Sequence, residues 1–268
     1  MKTAFLTTIF STEEQYLYDF FDSLQNQTNT NFDVVVINDG YKDFEKIKTA
    51  YKQSLNILEY QYSNTPAKNR EYGINYCIEN CYDVLVFGDI DDFFAENRVE
   101  KSIEFLAWND IVVNDLSLFD QDGVYEKMYI SKRIENRTHI NVDFIKDKNI
   151  FGLSNTAILL KDIKKIEISD DLIAADWYLF TLFLLKNKKA IFTNETETFY
   201  RQHKDNIVGM KKLSKEALQR GIDVKSKHYR QFANVTNFFD KELLRVENKN
   251  MSFDNKKEIK NPLWWELI

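Results

Sequence analysis

Hydrophobic and polar positions alternate in two rhythms over the first hundred residues. Residues 4–10 form a mostly apolar run, and residues 33–37 (DVVVI) and 83–87 (DVLVF) are short apolar runs that predict buried strands. Between the first two, residues 13–25 place Tyr16, Leu17, Phe20, Phe21 and Leu24 at helical spacing. Residues 44–55 read as a second helix, 57–61 as a short strand, and Pro66 opens a third helix running to about residue 80. Apolar strands alternating with helices predict a mostly parallel sheet covered on both faces. Ligands of such sheets bind beyond the carboxyl ends of the strands. That rule points after Phe10, at Asn38-Asp39-Gly40, and at residues 88–92.

The second half is more irregular. Residues 111–128 predict two strands joined at 120–123, with a further strand at 155–160, a buried helix at 176–186 and a short strand at 189–193. Beyond about residue 206 the pattern is helical, and residues 204–230 hold eight Lys/Arg against three Asp/Glu. The chain therefore divides into one α/β domain, 1–206, and a C-terminal helical extension, 207–268, packed on it. The basic helices suit either a solvated face or contact with an anionic membrane surface or lipid-diphosphate. The closing segment with Trp264 and Trp265 reads as a packing tail, though paired Trp also suits an interfacial contact.

Composition narrows the class. A chain of 268 residues with 44% hydrophobic and 15% aromatic residues can bury a substantial core. Its formal charge of −6 argues against a dedicated nucleic-acid binder. Cys77 and Cys81, four apart in a helical stretch, read as reduced core thiols of a cytoplasmic protein. The first apolar run is short, lacks a small-residue cleavage site and meets Glu13 and Glu14, so it reads as a strand and not a signal peptide. The longest later apolar stretch, residues 177–185, is about half of the roughly 20 residues needed to span a bilayer.

The most informative segment is Gly88-Asp89-Ile90-Asp91-Asp92. Three carboxylates at the end of a buried strand repel one another, and a hard divalent ion relieves that repulsion. The competing reading is a solvated acidic turn, with Asp92 as a helix N-cap. A haloacid-dehalogenase type of phosphatase also puts Asp-x-Asp after a strand, but after the first one and with a Thr or Val following, which is not the arrangement here.

Taken together, six segments resemble the family 2 glycosyltransferases over residues 3 to about 207. Residues 33–40 (DVVVINDG) resemble the strand ending in Asp-Asp-Gly, with Asn38 in place of the first acid. Residues 64–73 (NTPAKNREYG) resemble a helix start in which Pro66 stands where Gly is usual and Ala67-Lys68-Asn69-Arg70 covers the Ala-Arg-Asn run. Residues 88–92 resemble the D-x-D-D element, and residues 153–160 (LSNTAILL) the strand on the acceptor side. Ala174-Ala175-Asp176-Trp177 resembles a Glu-Asp-Trp helix start, with Ala175 replacing Glu. Residues 199–206 (FYRQHKDN) resemble the closing Y-R-x-H-x-x-N signature.

The resemblance implies a GT-A, Rossmann-like α/β fold and an inverting hexosyl- or N-acetylhexosaminyl-transferase in surface-polysaccharide or glycoconjugate assembly. It implies a nucleotide-sugar donor, most often a UDP-sugar, and a glycan or lipid-linked acceptor. Asp39 would contact the nucleoside. Asp91 would be the principal ligand of Mn2+ or Mg2+, with Asp89 assisting or binding ribose. His203 is a further candidate ligand, or else a structural histidine or phosphate contact. Asp176 would be the base that takes the acceptor's proton. Lys68 and Arg70 are candidate nucleotide or phosphate contacts, with a solvated helix face as the alternative, and Arg201 is a phosphate candidate. A sugar-1-phosphate nucleotidyltransferase is disfavoured because residues 7–12 lack a Gly-rich loop with Arg. A catalytically degenerate scaffold is the remaining alternative.

Overall fold

The computed structural model describes residues 1–202, 215–248 and 263–267. The elements run β1 (Thr3–Ile9), α1 (Glu14–Gln25), β2 (Asp33–Asn38), α2 (Phe44–Tyr51), β3 (Asn56–Gln61), α3 (Pro66–Glu79) and β4 (Val84–Phe87). They continue with β5 (Phe93–Phe94), α4 (Arg98–Leu106), β6 (Ile111–Asp120), β7 (Gly123–Glu126), β8 (His139–Ile140), α5 (Val142–Ile145), β9 (Thr156–Leu159), α6 (Ala175–Leu185) and β10 (Ala190–Arg201). Helices α7 (Lys215–Phe232) and α8 (Asp240–Glu247) and a final 3-10 turn (Trp264–Leu267) follow.

The sheet is mixed, with strand order β3-β2-β1-β4-β9-β6-β10-β5. Strands β1 to β4 are parallel, β9 runs against both β4 and β6, and β10 returns parallel to β6. The period-2 alternation of strand side chains sorts the core into two layers. Phe5, Val34, Val36, Val84 and Val86 face a cluster completed by α1, α2 and α4. Leu6, Val35, Ile37, Leu85 and Phe87 face a second cluster with α3 and α6. Phe232 of α7, Val246 of α8 and Phe239, which precedes α8, belong to that second cluster, beside Trp177. The C-terminal helices thus share the domain's core.

Several expectations need correction. Helix α2 stops at Tyr51, four residues short of the expected end. Strand β10 is 12 residues long, because Glu195 and Glu197 find Arg137, Lys101 and Ser117 as partners and keep the polar half in the sheet. Cys77 is buried, but Cys81 is exposed, since α3 ends at Glu79 and Cys81 takes a left-handed φ of 56°. Asp92 caps no helix: it is fully buried ahead of β5, and Asn97 precedes α4. On the basic α7, Lys225 turns inward and Arg230 pairs with Glu247. Leu263 is buried and Trp265 packs against the core, while Glu266 pairs with Arg133; the Trp264 side chain lies outside the described set. No helix among the described residues is long and apolar enough to cross a membrane.

Candidate active site

The carboxyl ends of β1, β2 and β4 lie along one edge of the sheet, with β1 and β4 meeting where the chain's strand order reverses. Phe10 follows β1 with 45% of its surface exposed. Asp39 follows β2, joined to β1 by its N–H, which donates to the Ile9 carbonyl at 2.7 Å. Gly40, at φ 83°, then turns the chain away. The Asp39 carboxylate accepts from Ser63 Oγ at 2.5 Å and Asn69 Nδ2 at 2.8 Å. Asn38, in place of an acid, is buried and donates to Glu59 at 2.7 Å and to the Tyr41 carbonyl at 3.0 Å.

The acidic turn follows β4. Asp89 is anchored by its N–H, which donates to Ser154 Oγ at 3.4 Å just before β9. Its carboxylate lies 3.5 Å from Arg70 Nη2. The side chain keeps 38% exposure, so the group is open to solvent. Surrounding protein still pushes its pKa up to about 6; Arg70 works against that shift, and Asp91 and Asp176 add to it. Asp92 lies deeper, and its Oδ1 accepts the Arg201 N–H at 2.8 Å, while Oδ2 has no hydrogen-bond partner. Burial, then Asp91 and Asp89, raise its pKa well above the ordinary value.

Asp176 is the second residue of α6, inside the helix and not its N-cap, which is Ala174. Its carboxylate accepts the Trp177 N–H at 2.8 Å. Burial raises its pKa, while the Trp177 N–H, the Arg70 charge and an Asn149 hydrogen bond hold the shift back. Arg70 therefore acts on Asp89 and on Asp176, and those two carboxylates act on each other. The structure brings Arg70 to Asp89 at 3.5 Å, and the charges of Asp91 and Asp176 reach Asp89 as well.

Arg201 and Lys68 are engaged elsewhere. Arg201 donates from Nε to the Asp91 carbonyl at 2.7 Å and from Nη2 to Asp19 at 2.5 Å, with its guanidinium over Tyr16 at 4.2 Å and Phe119 at 4.4 Å. It works as a strut behind the acidic turn. Lys68 pairs with Glu71 at 2.8 Å along α3. His203 lies outside the described residues. Among the described residues, no three His, Cys, Asp or Glu side chains form a cage that could hold a metal alone. Asn149 acts on Asp176 with no motif marking it in the sequence, and Tyr200, the Tyr of the closing signature, shares the electrostatics of Asp89, Asp91, Asp92 and Asp176. Only position just after a strand end could have singled out Phe10.

Comparison with known proteins agrees with this architecture. The family model for glycosyl transferase family 2 matches residues 7–164. A glycosyltransferase of Rickettsia bellii is 32% identical over 108 residues, 39% of this chain, and GlyA, a glycosyltransferase of Streptococcus pneumoniae, is 25% identical over 212 residues, 72% of this chain. The aligned stretches span only 15% and 30% of those two relatives' own length. S. aureus TarS 1–349 in complex with UDP-GlcNAc superposes with a TM-score of 0.64 at 19% identity, covering 92% of this chain and 72% of that one. The mannosyltransferase PcManGT of Pyrobaculum calidifontis, in complex with GDP-Man and Mn2+, gives 0.62 at 14% identity, covering 92% and 68%. At those identities the structures establish the shared GT-A fold. With a family model covering more than half of its 268 residues, the chain belongs to glycosyl transferase family 2.

Proposed function

We propose that the protein transfers one sugar from a nucleotide-diphosphate donor, a UDP-sugar first among candidates, to a hydroxyl of a glycan or lipid-linked acceptor, with inversion. Assembly of surface polysaccharide or glycoconjugate at the cytoplasmic face of a membrane is the setting we infer for it. The observation that carries the reading is the link made by Arg70, which lies 3.5 Å from Asp89 on the acidic turn and whose charge also acts on Asp176 of α6.

The nucleoside is assigned to the edge formed by Phe10 and Asp39. Phe10 offers an exposed ring for stacking a base, and Asp39, fixed by Ser63 and Asn69, offers a carboxylate to base or ribose. Asp91 and Asp89 are the residues that would hold Mn2+ or Mg2+. Their fit rests on the donor set, hard carboxylate oxygens on one short turn, where burial first and the neighbouring aspartates second raise the pKa of Asp89 and Asp92. Such ions usually take one or two protein carboxylates and complete their shell with water and substrate phosphates, so a preformed cage is not required. Once bound, the ion would neutralise charge on the departing diphosphate. His203 stays a candidate ligand on its motif alone. Arg201 is assigned to holding Asp91 in place and not to a phosphate, because Nε and Nη2 are already committed.

Asp176 accepts the acceptor's proton as the acceptor oxygen approaches the anomeric carbon on the face opposite the leaving group. Burial makes it a stronger base than an exposed aspartate, and the Trp177 N–H orients it. A thermal-shift panel of UDP-, GDP- and dTDP-sugars, with Mn2+ and then with chelator, tests the reading. One donor at about 100 times its Kd is expected to stabilise the fold by about 2.7 kcal/mol, and chelator to remove most of that shift. No shift with any nucleotide sugar would refute the reading.

A further inference from the structure

We infer that Tyr200 is a catalytic residue whose phenolic O–H donates a hydrogen bond to a non-bridging β-phosphate oxygen of the departing nucleoside diphosphate. The inference rests on the glycosyl-transfer reading above. Tyr200 is the penultimate residue of β10, paired in register with Leu118 of β6. Adjacent strand residues face opposite sides of the sheet. Arg201 turns towards α1, where it meets Asp19 and Tyr16. Tyr200 consequently turns to the other side, where it packs against the cluster that contains Ala175 and Trp177 at the start of α6. The N–H of the next residue, Arg201, donates to Asp92 Oδ1 at 2.8 Å, which ties this strand end to the acidic turn, while Asp176 opens the helix in the layer that Tyr200 joins.

The electrostatics agree with the geometry. The carboxylates of Asp92, Asp91, Asp89 and Asp176, in falling order of influence, all act on the phenol. Burial first, and then these acids, raise its pKa; a phenol is in any case a neutral hydrogen-bond donor at neutral pH. Its hydroxyl has no hydrogen-bond partner among the described residues. A donor set among four acids, and bonded to none of them, is free for a ligand that brings its own anionic oxygens. Within the proposed reaction that ligand is the diphosphate. The hydrogen bond from the Arg201 N–H to Asp92 ties the strand end to the acidic turn, the leaving-group side of the proposed reaction.

The step balances without a further reactant. The acceptor oxygen bonds to the anomeric carbon and its proton passes to Asp176. The bond from that carbon to the β-phosphate oxygen breaks, and its electron pair stays on the phosphate. Tyr200 keeps its proton, and its hydrogen bond strengthens as the phosphate gains charge, which favours the transition state over the bound donor.

Tyr200→Phe keeps the ring and removes only the hydroxyl. Turnover of the donor that the wild type uses is expected to fall about 10- to 100-fold, the range for one hydrogen bond to a charged group. Calorimetry with Mn2+ present is expected to show weaker binding of UDP (or of GDP or dTDP, whichever the wild type takes) and unchanged binding of the matching monophosphate. The melting temperature is expected to stay at the wild-type value. Wild-type turnover and wild-type diphosphate affinity in Tyr200→Phe would overturn this inference and leave the transferase reading intact. Equal weakening of mono- and diphosphate, or a lowered melting temperature, would assign the hydroxyl to structure and overturn it as well. A wild type that binds and turns over no nucleotide sugar would sink the underlying reading instead.

Discussion

Gly88 links β4 to the acidic turn, and it is where packing sets the position of the acids. A Cβ built there meets Phe5 Cε1 at 2.5 Å, Phe94 Cζ at 2.5 Å and Phe5 Cζ at 2.9 Å. Carbon atoms pack favourably at about 3.5–4.0 Å, so about 1 Å of overlap has to be absorbed. Neither ring has room to yield. Phe5 is 0% and Phe94 3% exposed, their centroids are 5.0 Å apart, and Phe20 closes on Phe94 at 5.5 Å. In Gly88→Ala the backbone of the turn moves instead. Overpacking of this kind costs about 1–3 kcal/mol, which for a chain of this size lowers the melting temperature by about 2–10 °C. Because Asp89 and Asp91 ride on that backbone, turnover is expected to fall about 100-fold, the cost of misplacing a reacting geometry by about 1 Å. Gly73→Ala is the control: its Cβ meets Leu6 Cδ1 at 2.8 Å and Ile37 Cγ1 at 3.0 Å, which are aliphatic atoms and not rings. It is expected to lower the melting temperature less and to keep most of the turnover. Calorimetric melting and a nucleotide-sugar turnover assay read both variants. Wild-type melting and turnover in Gly88→Ala would show that ring packing does not hold the turn.

Three further perturbations follow from the same geometry. His228 stacks on Trp177 at 3.7 Å between centroids, and burial of its unbonded ring nitrogens holds its pKa well below 6.5. Its stabilising contribution is complete above the unfolded value near 6.5 and is lost as pH falls below it, by up to about 1.4 kcal/mol per pH unit. Melts from pH 7.5 to 5 are expected to show that slope, and His228→Phe to flatten it. Arg201→Met removes the bonds to Asp19 and the Asp91 carbonyl. Denaturant unfolding is expected to show a loss of about 2 kcal/mol, with Arg201→Lys recovering only part of it, since Lys has no fork. Asn149 holds the Asp176 pKa down. In Asn149→Ala that pKa rises, so the acid limb of the kcat/KM profile is expected to move to higher pH, and an unmoved limb would remove Asn149 from the site.

Legibility in the sequence tracked how local the deciding contacts are. Strands β1, β2 and β4 and helix α1 were readable because each carries its own apolar run or stripe. Helix α4 escaped notice because buried Arg98 and Ser102 interrupt the stripe formed by Val99, Phe105 and Leu106. The two-residue strands β5 and β8 have no period to read, and the polar half of β10 is kept in the sheet by residues far away in the chain. The same division runs through the site. The order of motifs pointed to Asp39, Asp89, Asp91 and Asp176, whose places follow from strand ends and a helix start. The commitment of Arg201 to Asp19 and to the Asp91 carbonyl joins residues 182 and 110 positions apart, and no local pattern reveals it. Asn149 gains its meaning only from its action on Asp176, and the phenol of Tyr200, though it stands in the closing signature, only from the acids around it.

In the proposed transferase, Asp176 on α6 abstracts a proton while the aspartates ending β4 hold the nucleotide. Calorimetry of nucleotide binding and a turnover assay on the same preparation of Asp176→Asn test it most directly. Wild-type nucleotide affinity with turnover lowered by 100-fold or more is the expected result, since general-base catalysis supplies about 10²–10⁴ in rate. Full turnover in Asp176→Asn would contradict it.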